Sequence, residues 1–123
     1  MQDFATANKN DDNVSIRLGD GTGGFISATD VTVGNNPQSI AIGDFNGDGM
    51  QDFATANYYG NNVSIRLGDG TGGFISASDV TVGNNPFSIA IGDFNGDGMQ
   101  DFATVNQNDD DVSIRLGDGT GVF

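Results

Sequence analysis

The sequence predicts an all-β protein built from β-propeller blades. Three observations carry that expectation: a 49-residue internal repeat, four short strands with alternating apolar residues in each unit, and glycine- or asparagine-rich turns between them. Met1, Met50 and Met99 begin near-identical segments, so the 123 residues hold about two and a half copies. With 20 glycines and no 3.6-residue apolar period in any long window, helices are not expected. A four-stranded unit of this length is the pattern of a propeller blade, and the coils of a β-solenoid are usually shorter.

Each unit reads as four strands. SIAIG (strand A) alternates Ile40 and Ile42 with Ser39 and Ala41, and GNNP before it supplies the turn through Pro37 or Pro86. DFATAN (strand B) follows a loop rich in aspartate, and VSIRL (strand C) places Val63, Ile65 and Leu67 on one side and Ser64 and Arg66 on the other. GDGTGG then turns the chain toward SDVTV (strand D). The chain runs B-C-D, A-B-C-D, A-B-C: a partial blade over residues 1–37, a complete one over 38–86 and a partial one over 87–123, all in one domain. Phe25, Phe74 and Phe123 are expected to anchor the core between blades, and Phe45, Phe53, Phe94 and Phe102 to pack behind the aspartate loops. Arg17, Arg66 and Arg115 are expected to pair with nearby aspartates.

Composition narrows the function. All 17 acidic residues are Asp, and the formal net charge is −13. Phosphate binding needs clustered Lys and Arg, so neither nucleic acid nor an anionic membrane fits. The chain has no cysteine for a disulfide or thiolate site and no histidine for acid–base chemistry. MQDFATANKNDD lacks a basic segment followed by an apolar one, and no apolar run approaches a membrane span, so the chain reads as soluble and without an export signal. With His, Cys and Glu all missing, the expectation is that the protein is not an enzyme.

GDFNGDGMQD occurs twice, at residues 43–52 and 92–101. Crowding carboxylates is unfavourable unless an opposite charge joins them. Side-chain oxygens at positions 1, 3, 5 and 9, a backbone carbonyl at 7 and glycine at 6 form the first part of a Ca²⁺ loop. Asp44, Asn46, Asp48, Met50 through its carbonyl and Asp52 are the candidate ligands of one site. Asp93, Asn95, Asp97, Met99 and Asp101 form the second. An EF-hand is not expected, because Thr55 and Thr104 stand where its bidentate glutamate belongs. Asp3 sits at the equivalent of position 9, but its loop lacks the other ligands.

SIAIGDFNGDGMQDFATAN followed by VSIRLGDGTGGF resembles the FG-GAP/VCBS repeat, the blade unit of integrin-α-like propellers, over essentially the whole chain. The resemblance implies that SIAIG is the innermost strand and that calcium clips the hairpin to DFATAN. It also implies an extracellular or cell-surface setting and a protein or carbohydrate ligand on a ring of about seven blades. Two and a half blades do not close such a ring, so a homo-oligomer is expected, with the strand count leaving its size open. The copies differ mainly at KNDDN (9–13), YYGNN (58–62) and QNDDD (107–111), which makes Tyr58, Tyr59, Asn61 and Asn62 candidate ligand-binding residues. The competing expectation is a purely structural or engineered repeat scaffold with no ligand beyond calcium.

Overall fold

A computed structural model describes all of residues 1–123. It contains ten strands and no helix: β1 (Phe4–Asn8), β2 (Asn13–Gly19), β3 (Phe25–Thr32), β4 (Pro37–Gly43), β5 (Asp52–Asn57), β6 (Asn62–Gly68), β7 (Phe74–Thr81), β8 (Pro86–Gly92), β9 (Asp101–Asn106) and β10 (Asp111–Arg115). These form three antiparallel sheets in sequence order, β1-β2-β3, β4-β5-β6-β7 and β8-β9-β10. The sheets are therefore B-C-D, A-B-C-D and A-B-C, the arrangement read from the repeats. The inner strand β4 lies beside both β1 and β8, which stacks the sheets around one side.

Strand D differs from its expected bounds. It begins at Phe25 and Phe74, four residues before SDVTV or its counterpart, because a bulge opposite Ile65 and Arg66 resets the register and lets Leu67 pair with Ile75 and Gly68 with Phe74. One bulge of the same kind lies opposite Ile16 and Arg17. Such a bulge adds a residue to one strand and sharpens its twist.

Both faces of the middle blade's strands β5 and β6 are buried, but they are chemically different. In the middle blade, Ala54, Ala56, Val63 and Ile65 share one face, and Phe53, Thr55, Asn57, Ser64 and Arg66 share the other. The apolar face of each blade packs on the phenylalanine side of the next. Val14, Ile16 and Val33 meet Phe53, while Ala54, Ala56, Val63, Ile65, Val82 and Phe45 meet Ile89 and Phe102. Burying a side chain such as Val63 or Ile65 completely contributes about 1.5–3 kcal/mol.

The second face also carries a buried polar ladder. Asn57 Nδ2 donates to Asn62 Oδ1 (2.8 Å) and Ser64 Oγ (2.9 Å), and Thr55 Oγ1 donates to Asn57 Oδ1 (3.0 Å). Ser64 Oγ also accepts the Gly34 N–H of the preceding blade at 3.0 Å, and Arg66 Nε donates to the Thr32 carbonyl at 3.0 Å. The ladder recurs around Asn106 and Ser113. No buried side-chain polar atom is left without a partner, as stability of a polar interior requires.

Arg17 and Arg66 pair with Asp30 (3.3 Å) and Asp79 (3.2 Å) as expected. Arg115 instead donates to the carbonyls of Ile114 and Thr81, since no strand D lies beside β10. The phenylalanine expectation also divides. Phe45, Phe53 and Phe102 are buried, whereas Phe94 and Phe25 are about half exposed, having no blade packed against them.

Candidate metal centre

The two aspartate loops connect β4 to β5 and β8 to β9 and lie at one rim of the stacked sheets, beside the GDGTGG turns. Two left-handed glycines shape each loop: Gly47 (φ 74°) and Gly49 (φ 84°) in the first, Gly96 (φ 78°) and Gly98 (φ 84°) in the second. Asp44 gathers the backbone around itself. Its Oδ1 accepts from the N–H groups of Gly47 (2.7 Å) and Asp48 (3.2 Å), and its Oδ2 from Gly49 (2.9 Å). Asn46 Nδ2 donates to Asp48 Oδ2 (2.8 Å), which brings the side chains of positions 3 and 5 together at the solvent edge. The second loop reproduces these bonds at Asp93, Asn95 and Asp97. The Gly98 N–H is the strongest of the donors that hold the Asp93 pKa below the ordinary carboxylate value.

Asp52 has a different place. It is fully buried, with Oδ2 accepting from the Phe45 N–H (2.7 Å) and Oδ1 from the Gly68 N–H (2.9 Å). It thereby ties the start of the loop to the end of β6, across two connections. Burial raises its pKa against these two donors, and the nearby Asp48 and Asp44 charges add to the rise. Asp101 repeats the staple with Phe94 and Gly117, and Asp3 makes the half that its segment allows, accepting from Gly19. The spacing that allows the staple, an aspartate 16 residues before a glycine, recurs in all three copies, but it does not by itself distinguish a staple from a ligand.

The donor set suits a hard cation. Each loop offers three carboxylates and an amide oxygen, and a carboxylate has about four acceptor sites, so bonds to N–H groups leave lone pairs for an ion. The arrangement itself does not draw three carboxylates around one point, because Asp44 turns toward the loop backbone and Asp52 toward Phe45 and Gly68. Coordination by all five positions requires these side chains to share or exchange their present partners.

The variable loops lie at the opposite rim, between strands B and C. Tyr58 and Tyr59 pack edge to face at 5.1 Å; Tyr58 Oη donates to Gln107 Oε1 (3.0 Å) in the next blade, and Tyr59 is exposed. Asn61 and Asn62 work inside the fold. Asn61 is left-handed (φ 53°), and its Oδ1 accepts the Asn85 N–H (2.9 Å), while Asn62 Oδ1 caps the Asn57 ladder. The equivalents of Asn61 are Asp12 and Asp110, also left-handed, at φ 53° and 54°. Asn and Asp tolerate that conformation best among non-glycine residues. The last two residues of the variable stretch are therefore constrained to Asn or Asp. Position 60 is constrained as well, since a side chain on Gly60 would meet Asn62 Oδ1 and its counterpart Asp109 accepts from Asn84, which leaves positions 58 and 59 the least constrained.

No curated protein matches the chain significantly. A family model described as FG-GAP-like repeat matches twice, at residues 1–55 and 44–104. Together the matches run through both aspartate loops and most of the three sheets. The chain belongs to the FG-GAP-like repeat family, and its sheets are one four-stranded and two partial blades of a β-propeller repeat module.

Proposed function

We propose that this chain is a calcium-binding propeller module, without catalytic activity, that assembles with further copies into an oligomeric ring in an extracellular or cell-surface setting. The observation that carries the calcium reading is the oxygen-rich loop on a two-glycine turn, present twice with the same bonds. Asp44, Asn46, Asp48, the Met50 carbonyl and Asp52 would hold one ion, and Asp93, Asn95, Asp97, the Met99 carbonyl and Asp101 the other. The ion supplies positive charge that offsets the carboxylates crowded in each loop. Mg²⁺ fits less well, because it usually keeps several waters and rarely uses a protein cage.

A ligand bound only by the folded state stabilises it by mass action. Thermal melts in calcium chloride and in EDTA, with metal analysis of the dialysed protein, test the reading. A melting temperature that falls clearly on chelation, and a calcium content approaching two ions per chain, are the expected results. An unchanged melt with no metal found would refute it. Extracellular calcium modules bind at roughly 10⁻⁴–10⁻³ M, so millimolar calcium is the appropriate condition.

For a partner beyond calcium, Tyr58 and Tyr59 offer a stacking surface for a sugar or an apolar protein side chain. The scaffold alternative draws support from Asn61 and Asn62, whose side chains are already engaged within the fold. A glycan array with wild type and Tyr59→Ala separates the two: tyrosine-dependent binding supports a ligand site, and no binding favours the scaffold.

A further inference from the structure

The blade joint occurs twice within these residues, and the first and third sheets each expose the strand B and C part of one half of it. The apolar half is buried in the first two blades, as Val14 and Ile16 and as Val63 and Ile65, but in the third blade Val112, Ile114 and Leu116 are each at least 50% exposed. The aromatic half is an edge-on or tilted phenylalanine pair, Phe53–Phe74 and Phe102–Phe123, each with centroids 5.0 Å apart. In the first blade the same pair, Phe4–Phe25 at 4.9 Å, is about half exposed.

From this geometry we infer that a chain of these residues docks head to tail on a second copy, with the apolar face of β9 and β10 seated on the Phe4–Phe25 face of the next molecule. The inference deepens the assembly reading above and rests on it; it does not require the calcium reading. Three contacts beyond the apolar patch set its register. Phe45 packs edge-on against Phe123 of the following blade at 5.7 Å, so exposed Phe94 pairs with Phe25 of the second copy. The Asp44 N–H donates to Gln100 Oε1 at 3.0 Å, so the Asp93 N–H meets Gln2 of the second copy. Leu18 and Leu67 close on Gly72 and Gly121 of the following blade, while the space beside Gly23 is open to receive Leu116 of another molecule. Each half fits the other and not itself, so the contact is heterologous. Counting each sheet as a blade, the chain contributes three, of which the first lacks strand A and the third lacks strand D, and rings of about 4 to 8 blades admit two copies of such a chain.

The test uses two variants of the full chain, Val112→Glu/Ile114→Glu and Phe4→Glu/Phe25→Glu. All four positions are solvent-exposed in the single chain, and circular dichroism checks that both variants fold. Wild type is expected by light scattering at twice the chain mass of 12.7 kDa, and each variant alone at the single mass. An equimolar mixture is expected to recover a dimer, because it rebuilds one intact joint. Wild type that stays monomeric at all concentrations would overturn the proposal and leave the two faces to further repeats or to a different partner. A variant that dimerises alone would show a contact of like faces and would also overturn it. The outcomes separate from the calcium reading: if only that reading fails, wild type binds no metal but still associates, and if only the docking fails, it binds calcium as a monomer.

Discussion

Replacing Asp52 by asparagine separates the staple from the metal ligand. The two carboxylate oxygens accept the N–H groups of Phe45 and Gly68 at 2.7 and 2.9 Å, in a site with no solvent exposure. Asparagine keeps the shape but has one oxygen, so its amide nitrogen must face one of the two donors. A hydrogen bond to a charged group contributes about 1.5–3 kcal/mol, and a buried N–H left unpaired costs about 1–3 kcal/mol. These describe overlapping parts of one loss, so Asp52→Asn is expected to cost about 2–4 kcal/mol. At roughly 3–6 °C per kcal/mol for a chain of this size, the melting temperature falls by about 6–24 °C. This loss is expected in EDTA as well as in calcium. Asp48→Asn, in the exposed part of the loop, is the contrast: it should lower the melt in calcium and leave the EDTA melt within about 2 °C. Thermal denaturation by circular dichroism reads both. If Asp52→Asn melts like wild type in EDTA, the staple argument is wrong.

Two further predictions test other parts of the fold. Ile65→Ala removes a fully buried side chain from the joint between the second and third blades, and should destabilise by about 2–5 kcal/mol in urea unfolding; a loss below about 1 kcal/mol would mean that the joint is not packed as described. The pKa of Asp69 lies below the ordinary 3.8 because the Thr71 N–H, then its hydroxyl, donate to the carboxylate. A lowered folded pKa gives stability that is complete above the unfolded value and is lost as pH falls through it to the folded value. Acid melts between pH 5 and about pH 2 should therefore show a shallower loss for Thr71→Val than for wild type, and identical profiles would refute the assignment.

Much of the fold was legible because each repeat marks its own boundaries. Alternation in DFATAN and VSIRL gave strands whose structural counterparts are Asp52–Asn57 and Asn62–Gly68, and the Gly- and Asn-rich turns separated them. The early start of strand D was not legible, since FISA carries no clear alternation and its pairing depends on a bulge within strand D, where Ala77 is the extra residue opposite Ile65 and Arg66. The aspartate loops could be located from spacing alone. The buried role of Asp52 could not, because a position-9 ligand and a hydrogen-bonded staple call for the same residue, and only the strand packing shows which N–H groups it reaches. The variable stretch was read as a single candidate surface, yet the left-handed backbone at Asn61 and the ladder at Asn62 divide it.

That division, together with the placement of the loops, separates two kinds of change. The aspartate loops stand at one rim and the Tyr58–Gly60 segment at the other, with the full length of strands B and C between them. New side chains at residues 58 and 59 alter one edge of the stacked sheets while the charged edge, far along the strands, keeps its geometry. The fold thus works as a mounting plate: two foreign residues at positions 58 and 59, followed by Gly or Asp and then two Asn or Asp residues as in the existing copies, are expected to be carried without re-engineering the rest.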